Sequence, residues 1–213
     1  GKIGNQVAAY PFTVGHEFSA TVVETGTDCR NLQPGDRVAV DPLVYCGTCE
    51  QCLQGRFNTC LNQKFLGCPG QMEGCLKEYI VMPDYTCYKL PESINQEDAA
   101  ICEPLTIGCY AADKADNLEN KSIAVLGAGP IGLSVLHTAL LKKPRKVYMT
   151  DILDYRCRIA HTQGADWVGI RKKLTAFQRY PHRNLIFLML FLSAVVNRKH
   201  WIWLSNWPSR EVR

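Results

Sequence analysis

A cluster of cysteines is the part of the sequence best suited to bind a metal. Its four members follow one another at gaps of two, two and seven residues: Cys46, Cys49, Cys52 and Cys60. Thiolates at this spacing suit a tetrahedral zinc ion, and four sulfur ligands leave no position for water or substrate. A ferredoxin-type iron–sulfur loop also begins CxxCxxC, but it continues with three residues, cysteine and proline, which this sequence does not do. The cluster therefore predicts a structural zinc site.

A second set of residues has the chemistry of an open, catalytic zinc site. His16 and Glu17 are adjacent in "GHEFSA", and Glu103 lies in the otherwise apolar stretch around "CEPLT". An acid in such a stretch is expensive to bury unless it meets a metal or a partner. One imidazole with one or two carboxylates can form part of a catalytic zinc site.

The glycine-rich stretch "GAGPIG" matches the dinucleotide-binding fingerprint GxGxxG. It follows a predicted strand, opens a predicted helix and comprises Gly127, Gly129, Pro130, Ile131 and Gly132. These glycines permit a tight turn, a close backbone approach to a pyrophosphate and close packing of helix on strand. Asp151 ends the next predicted strand, where an acid accepts hydrogen bonds from a ribose and repels a 2′-phosphate. The motif predicts NAD rather than NADP as the cofactor.

Two kinds of element must position these groups. Before about residue 100 the sequence reads mostly as strands and turns, with strands expected over Phe18–Val23 and Leu76–Val81. Within Gln33–Val40, a Pro-Gly-Asp turn is expected directly before another strand. A helical turn is expected over Glu97–Ala100, capped by Ser93. From Lys121 onwards, apolar strands alternate with a helical pattern, which predicts an α/β unit.

Composition and charge narrow the class of protein. The chain has 213 residues, 11 cysteines and a net charge of +4. No signal peptide precedes the cysteines and their number is odd, so a reducing, cytoplasmic setting is expected. Residues 170–213 hold nine of the 24 lysines and arginines and one of the 20 acids. The net positive charge of the chain therefore comes from this C-terminal tail.

Five motifs together resemble the zinc-containing medium-chain dehydrogenases, with the sorbitol and polyol branch nearest. In chain order they are "GKIGN…VGHEFSATVVETG", "LQPGDRVAV", the cysteine cluster, "CEPLT" and "VLGAGPIGLSV…MTD". The resemblance covers residues 1–169.

The resemblance implies a mixed β and α/β fold, with a GroES-like β-barrel catalytic domain over 1–108 and the first part of a Rossmann domain over 109–169. It implies hydride transfer from a polyol or secondary alcohol to NAD, with structural and catalytic zinc. His16 would be a zinc ligand, and Glu17 and Glu103 would be acidic ligands or near neighbours of the metal. The expected partner is a small alcohol, in a homo-oligomer that binds neither nucleic acid nor membrane.

The sequence departs from the family pattern at its start. The family places a cysteine ligand, and close to it a serine or threonine proton relay, about 25 residues before the histidine. Here only 15 residues precede His16. We therefore expect an incomplete catalytic zinc site and an inactive fragment.

The tail over 170–213 departs from the family more strongly. Its apolar run Leu185–Val196 is 12 residues long, too short to span a bilayer. A buried helix or a membrane-interface anchor is one interpretation. We favour another, a frame slip near Gly169 or Ile170, because codons for Leu188–Ser193 read one base earlier can give Asp-Val-Val-Phe-Glu, a segment typical of this family. On that hypothesis the tail carries no selected function.

Three other functions stay open from the sequence. A threonine dehydrogenase-like substrate is the nearest alternative within the class. A non-enzymatic zinc-binding module that keeps only the cysteine lobe is an alternative of another class, and a membrane-associated protein anchored by Leu185–Val196 is the third.

Overall fold

The computed structural model of the chain describes residues 2–3, 6–115, 117–170 and 185–188. Short antiparallel strands form the N-terminal part, and a parallel sheet with helices forms the C-terminal part. The proposed division at residue 108 falls inside one continuous helix that joins the two parts, Cys102–Lys114.

The N-terminal part contains three small antiparallel sheets, β1-β2, β3-β4-β7 and β5-β6. The strands are β1 (Lys2–Ile3), β2 (Gln6–Val7), β3 (Ser19–Thr21), β4 (Arg37–Val40), β5 (Leu43–Val44), β6 (Lys64–Phe65) and β7 (Cys87–Lys89). Strand β4 is central because it pairs with both β3 and β7, and Val38 is 2% exposed within it. The strand predicted over Phe18–Val23 thus contains β3 but is longer, and the strand predicted after the Pro-Gly-Asp turn is confirmed as β4.

The short helices of this part are α1 (Glu50–Leu53), α2 (Gln96–Ala99) and two 3₁₀ turns (Phe57–Thr59 and Asp84–Thr86). The predicted helical turn near residue 97 is confirmed as α2, but the predicted cap at Ser93 is wrong. Asn95 caps the helix, because its side-chain oxygen accepts a hydrogen bond from the Asp98 N–H at 2.7 Å. A short polar side chain at either position could do this, and the helix begins after the second.

The strand predicted over Leu76–Val81 is also wrong. This stretch has no regular secondary structure, and Leu76, Tyr79 and Val81 are 70%, 71% and 90% exposed. A strand needs a neighbour to receive its backbone hydrogen bonds, and no strand within the described residues pairs with this one. The apolar pattern of the segment does not show whether a neighbouring strand is present.

One ion pair ties strand β7 to the residue that directly precedes β4. Lys89 Nζ lies 2.6 Å from Asp36 Oδ1, and Asp36 Oδ2 accepts the Gln33 N–H at 3.0 Å. Asp36 is 7% exposed. The hydrogen bond from Lys89, followed by that from Gln33, holds the pKa of the Asp36 carboxyl below its ordinary value of 3.8.

We expect this pair to make folding stability depend on pH. Because the folded-state pKa of Asp36 is lowered, its contribution is complete above the unfolded value and is lost as pH falls through the folded one. Lys89→Met should therefore lower the free energy of unfolding near about pH 7 but not at about pH 2, in urea titrations at both pH values. An equal loss at both pH values would show that the lysine acts through packing instead.

The C-terminal part is a four-stranded parallel sheet in the order β10-β9-β8-β11. Its elements are α3 (Cys102–Lys114), β8 (Ser122–Leu126), α4 (Pro130–Leu141), β9 (Lys146–Asp151), α5 (Asp154–Thr162), β10 (Trp167–Ile170) and β11 (Leu185–Leu188). The predicted alternation of strands and helix from Lys121 is confirmed. The apolar strands β8 and β9 are buried because they pack against helices, as parallel strands require.

Helices α3 and α4 pack closely against each other and the sheet. The core of this part consists of fully buried apolar side chains, including Leu118, Ile123, Val135, Leu136, Val147 and Met149. The contact between the two helices depends on Gly108, since a Cβ there would lie 2.5 Å from the backbone of Ser134. Because α3 also carries Glu103, this contact links the α/β sheet to the candidate metal site.

Most of the tail lies outside the described residues. The hypothesis of a frame slip therefore stays a prediction, and so does a membrane anchor over 189–196, because these residues lie outside the described ones. The four described residues of the apolar run, Leu185–Leu188, form β11, which pairs in parallel with β8. A buried helix is thus wrong for these four residues. Among the residues that the structure describes, no helix has the length and apolar character needed to cross a bilayer.

Candidate functional site: two metal centres and a dinucleotide loop

The four cysteines of the cluster converge in a lobe that follows β5. Cys46 lies in the loop, Cys49 precedes α1, Cys52 lies within α1 and Cys60 follows the first 3₁₀ turn. Turns at Gly47 and Gly55, with φ of +73° and +72°, fold the lobe back on itself. Residues other than glycine seldom adopt this conformation.

The sulfur atoms have the spacing that zinc requires. Their separations are 3.5 Å for Cys49–Cys52 and for Cys46–Cys60, 3.9 Å for Cys49–Cys60 and 4.0 Å for Cys46–Cys52. Zn–S bonds of about 2.3 Å in a tetrahedron place the sulfurs about 3.8 Å apart. Disulfides are excluded because an S–S bond is about 2.05 Å long, and all four cysteines are free.

Hydrogen bonds in the lobe favour the thiolate form of Cys46. The Cys49 N–H and the Thr48 hydroxyl donate to its sulfur at 3.4 and 3.6 Å. Hydrogen bonds, from Thr48 first and then Cys49, lower the pKa of Cys46 to about 5. Burial raises the pKa of Cys52 to about 12, and Cys52 is 5% exposed. A divalent cation among the sulfurs would offset that burial cost, since metal binding deprotonates thiols.

The three predicted donors of the second centre also meet. His16, Glu17 and Glu103 each bring one ligand atom within 4.8 Å of the others. His16 and Glu17 precede β3, and Glu103 lies in the first turn of α3, so two distant segments build the group. These nitrogen and carboxylate donors fit zinc.

Burial sets the electrostatics of this group. Glu103 is half-buried, and burial raises the pKa of its carboxyl while the nearby His16 lowers it. No hydrogen bond to the Glu103 carboxylate exists among the described residues. A half-buried acid without a donor is costly, and a cation bound between it and His16 would relieve that cost.

The dinucleotide loop lies where the order of the sheet reverses. The chain runs outwards through β8, β9 and β10 and then adds β11 on the other side of β8. Ligands of open α/β sheets bind at such a switch point, outside the carboxyl ends of the strands. Gly127 directly follows β8 with φ of +107°, and its N–H donates to Thr150 O at 2.8 Å.

The loop keeps open space for a ligand and closes tightly beneath it. Gly129 precedes α4 and Pro130 begins it; a Cβ on Gly129 would meet only Arg156, at 3.5 Å. A Cβ on Gly132 would lie 2.0 Å from Gly127 O. The helix N-terminus is thus accessible to a phosphate group, and the loop fits a dinucleotide.

Asp151 is brought to the loop as predicted from its position at the end of β9. The residue is 8% exposed, and its carboxylate accepts the Ala128 N–H at 2.8 Å and the Leu153 N–H at 2.9 Å. Arg156 Nη1 lies 3.8 Å from Asp151 Oδ2. The acid therefore also holds the glycine-rich loop in place.

Two residues beside these sites were missed in the sequence. The ring of Phe65 lies 5.2 Å from the His16 ring in an edge-on arrangement and limits its orientation. Nothing in the sequence pointed to Phe65, because 49 positions separate it from His16. Arg156 could have been found as the first of the two arginines in the helix that follows Asp151.

Fold and sites together have the features of one class of protein: two donor groups that fit zinc, and a parallel sheet whose glycine-rich loop fits a dinucleotide. Residues 1–92 match the alcohol dehydrogenase GroES-like domain, and this part of the chain belongs to that domain family. The predicted family and the predicted fold class are confirmed.

Its relatives are polyol dehydrogenases. The chain is 34% identical to L-idonate 5-dehydrogenase of Vitis vinifera, across 78% of this chain and 45% of that protein. It is 36% identical to sorbitol dehydrogenase of Bacillus subtilis (strain 168), across 78% and 46%. The crystal structure of galactitol-1-phosphate dehydrogenase from Escherichia coli matches with a TM-score of 0.76 at 32% identity, covering 86% of this chain and 54% of that one. The chain thus spans about half the length of the proteins that it matches.

Proposed function

We propose that the chain belongs to a zinc- and NAD-dependent dehydrogenase that oxidises a polyol or a secondary alcohol to a ketone. The observation that carries this proposal is the convergence of His16, Glu17 and Glu103 from two distant segments. The similarity to L-idonate 5-dehydrogenase and sorbitol dehydrogenase supports this interpretation of the three residues.

The residues of the second centre would have distinct roles in the proposed reaction. When bound, zinc supplies a Lewis acid for the substrate hydroxyl and NAD supplies the hydride acceptor. His16 presents a ring nitrogen whose direction Phe65 limits, and Glu103 presents a carboxylate from a half-buried position. The reaction would take a proton from the hydroxyl and hydride from the carbon that bears it, and its products would be a ketone, NADH and a proton released to water.

Asp151 would select the cofactor. It lies at the end of β9 beside the glycine-rich loop, where a carboxylate accepts hydrogen bonds from ribose hydroxyls and repels a 2′-phosphate. We propose NAD over NADP on that ground.

The cellular setting that we propose is cytoplasmic, because all eleven cysteines are free and free thiols are typical of reducing compartments. A homo-oligomer remains part of the proposal.

The direct test is zinc content together with turnover of NAD and sorbitol. Two zinc equivalents with NADH formation would support the proposal. Two zincs without turnover would fit the inactive fragment expected from the sequence. One tightly held zinc would favour the non-enzymatic zinc module, and turnover on threonine alone would favour the threonine dehydrogenase-like alternative.

We expect Glu103→Gln to weaken zinc binding at the second centre and to leave zinc binding at the cysteine cluster unchanged. The amide keeps the size of the side chain but lacks the charge that balances a cation, so affinity should fall at least about 10-fold. Competition with a graded series of chelators measures both sites. Glu119→Gln is the matched control, because Glu119 is exposed and outside both metal groups. Unchanged affinity in Glu103→Gln would remove Glu103 from the site.

A further inference from the structure

The segment 91–96 connects the central sheet of the N-terminal part to the helix that carries Glu103. It leaves the sheet after β7 (Cys87–Lys89) and enters α2 (Gln96–Ala99). Since 86 positions separate Glu103 from Glu17 in the sequence, the course of this segment decides whether the two acids meet. The structure shows how that course is held.

Arg37 holds the first half of the segment. From the start of β4, its Nη1 donates to Ile94 O at 2.8 Å, and its Nη2 donates to Pro91 O at 3.3 Å and to Glu92 O at 3.4 Å. One guanidinium therefore bridges three carbonyls of a loop that is otherwise exposed. Only the planar fork of arginine can serve acceptors spread in this way.

Ser19 holds the second half. Its hydroxyl donates to Gln96 O at 2.6 Å, and the Gln96 side-chain amide donates to the Thr21 hydroxyl at 3.0 Å. Ser19 lies at the start of β3, three positions after His16. This second tie therefore links α2 directly to the strand that follows the His16–Glu17 pair.

A nearly continuous helix connects the hydrogen-bonded segment 91–96 to Glu103. The Ile101 N–H donates to Asp98 O at 3.2 Å and the Leu105 N–H donates to Ile101 O at 3.1 Å, so α2 runs almost directly into α3. Glu103 follows the end of α2 by only four positions. A displacement of α2 would move the Glu103 carboxylate with it.

We infer that Arg37 and Ser19 are positioning residues for the second metal centre, because they hold segment 91–96 where α3 brings Glu103 against His16 and Glu17. This inference rests on the proposed function, since it assumes that the three donors bind zinc. Neither residue contributes a ligand atom. Their effect is on the geometry of a ligand. Loss of a group that is hydrogen-bonded directly to a metal ligand typically costs about 10- to 100-fold in metal affinity, so a more distant tie should lie at the lower end of that range.

The test measures zinc affinity at both centres of the full chain for wild type, Arg37→Met, Arg37→Lys and Ser19→Ala. Methionine keeps the apolar stem of arginine but removes its donors. We expect affinity at the second centre to fall roughly 10-fold in Arg37→Met and Ser19→Ala, with the cysteine lobe unchanged. Arg37→Lys should restore part of the loss, since a lysine can still donate to one or two of the carbonyls.

The cysteine lobe is the internal control, because a general loss of folding would weaken both centres. Substitution with cobalt separates them, since only the lobe gives intense thiolate charge-transfer absorption. Arg30→Ala is the matched control for loss of a surface arginine, because Arg30 is exposed and has no hydrogen bond to segment 91–96 among the described residues.

The outcomes separate this inference from the proposed function. If wild type binds zinc only at the lobe, the proposed centre and the inference are both wrong. If wild type binds two zincs and both variants keep wild-type affinity, only the inference is overturned. If Arg37→Met unfolds and loses both zincs, Ser19→Ala decides: weaker binding at the second centre alone supports the inference, and unchanged binding overturns it.

Discussion

Cys52→Ser is expected to abolish zinc binding at the lobe and to unfold residues 46–60. The Cys52 sulfur is buried and lies within 4.0 Å of those of Cys46 and Cys49. A hydroxyl is a poor fourth ligand here, and structural zinc contributes about 10–16 kcal/mol to the folding of small zinc domains. We expect the free energy of unfolding to fall by several kcal/mol, and the zinc content to drop by one equivalent.

Zinc analysis, thermal unfolding and limited trypsin digestion measure this loss together. Arg56 lies in the lobe, so an unfolded lobe should be cleaved there rapidly, whereas the zinc-bound wild type should resist until a chelator is added. Cys109→Ser is the control, because Cys109 is a free, exposed cysteine on α3. Full zinc content in Cys52→Ser would show that the cysteine cluster is not a four-sulfur site.

Gly132→Ala is expected to have the largest effect on cofactor binding. The added methyl group would lie 2.0 Å from Gly127 O, so the glycine-rich loop must move away from the start of α4. Such overpacking typically costs about 1–3 kcal/mol of stability. The displaced loop should also bind NAD at least about 10-fold more weakly, because the helix N-terminus no longer faces the phosphates.

Calorimetric titration with NAD and thermal unfolding give the two readouts for Gly132→Ala. Gly26→Ala is a matched substitution, because a Cβ at Gly26 would meet nothing within 4 Å; it should leave both quantities unchanged. Wild-type affinity for NAD in Gly132→Ala would contradict the proposed cofactor loop.

Local spacing in the sequence was informative wherever one short segment builds a whole feature. The cysteine cluster lies within 15 residues, so chain connectivity alone keeps its sulfurs near one another. The glycine-rich loop is likewise one turn between β8 and α4. The chemistry of both features could therefore be predicted before any tertiary contact was known.

The predictions that were wrong each depended on a neighbour. Leu76–Val81 has the composition of a strand, but within the described chain no other strand pairs with it. Ser93 was the predicted cap, but Asn95 caps the helix, because its side chain accepts a hydrogen bond from the Asp98 N–H. Strand pairing is settled by long-range contacts, which a local pattern does not contain.

The sequence by itself determined the family, the donor types and the thiolate cluster, because residue identity and short spacing define their chemistry. Only the tertiary structure brought Glu103 to His16 and Glu17, placed Phe65 against the His16 ring and set Arg37 against segment 91–96. These contacts join residues tens of positions apart, and their geometry follows from how β4, α2 and α3 pack. The folded chain therefore decides whether three scattered donors become one metal centre.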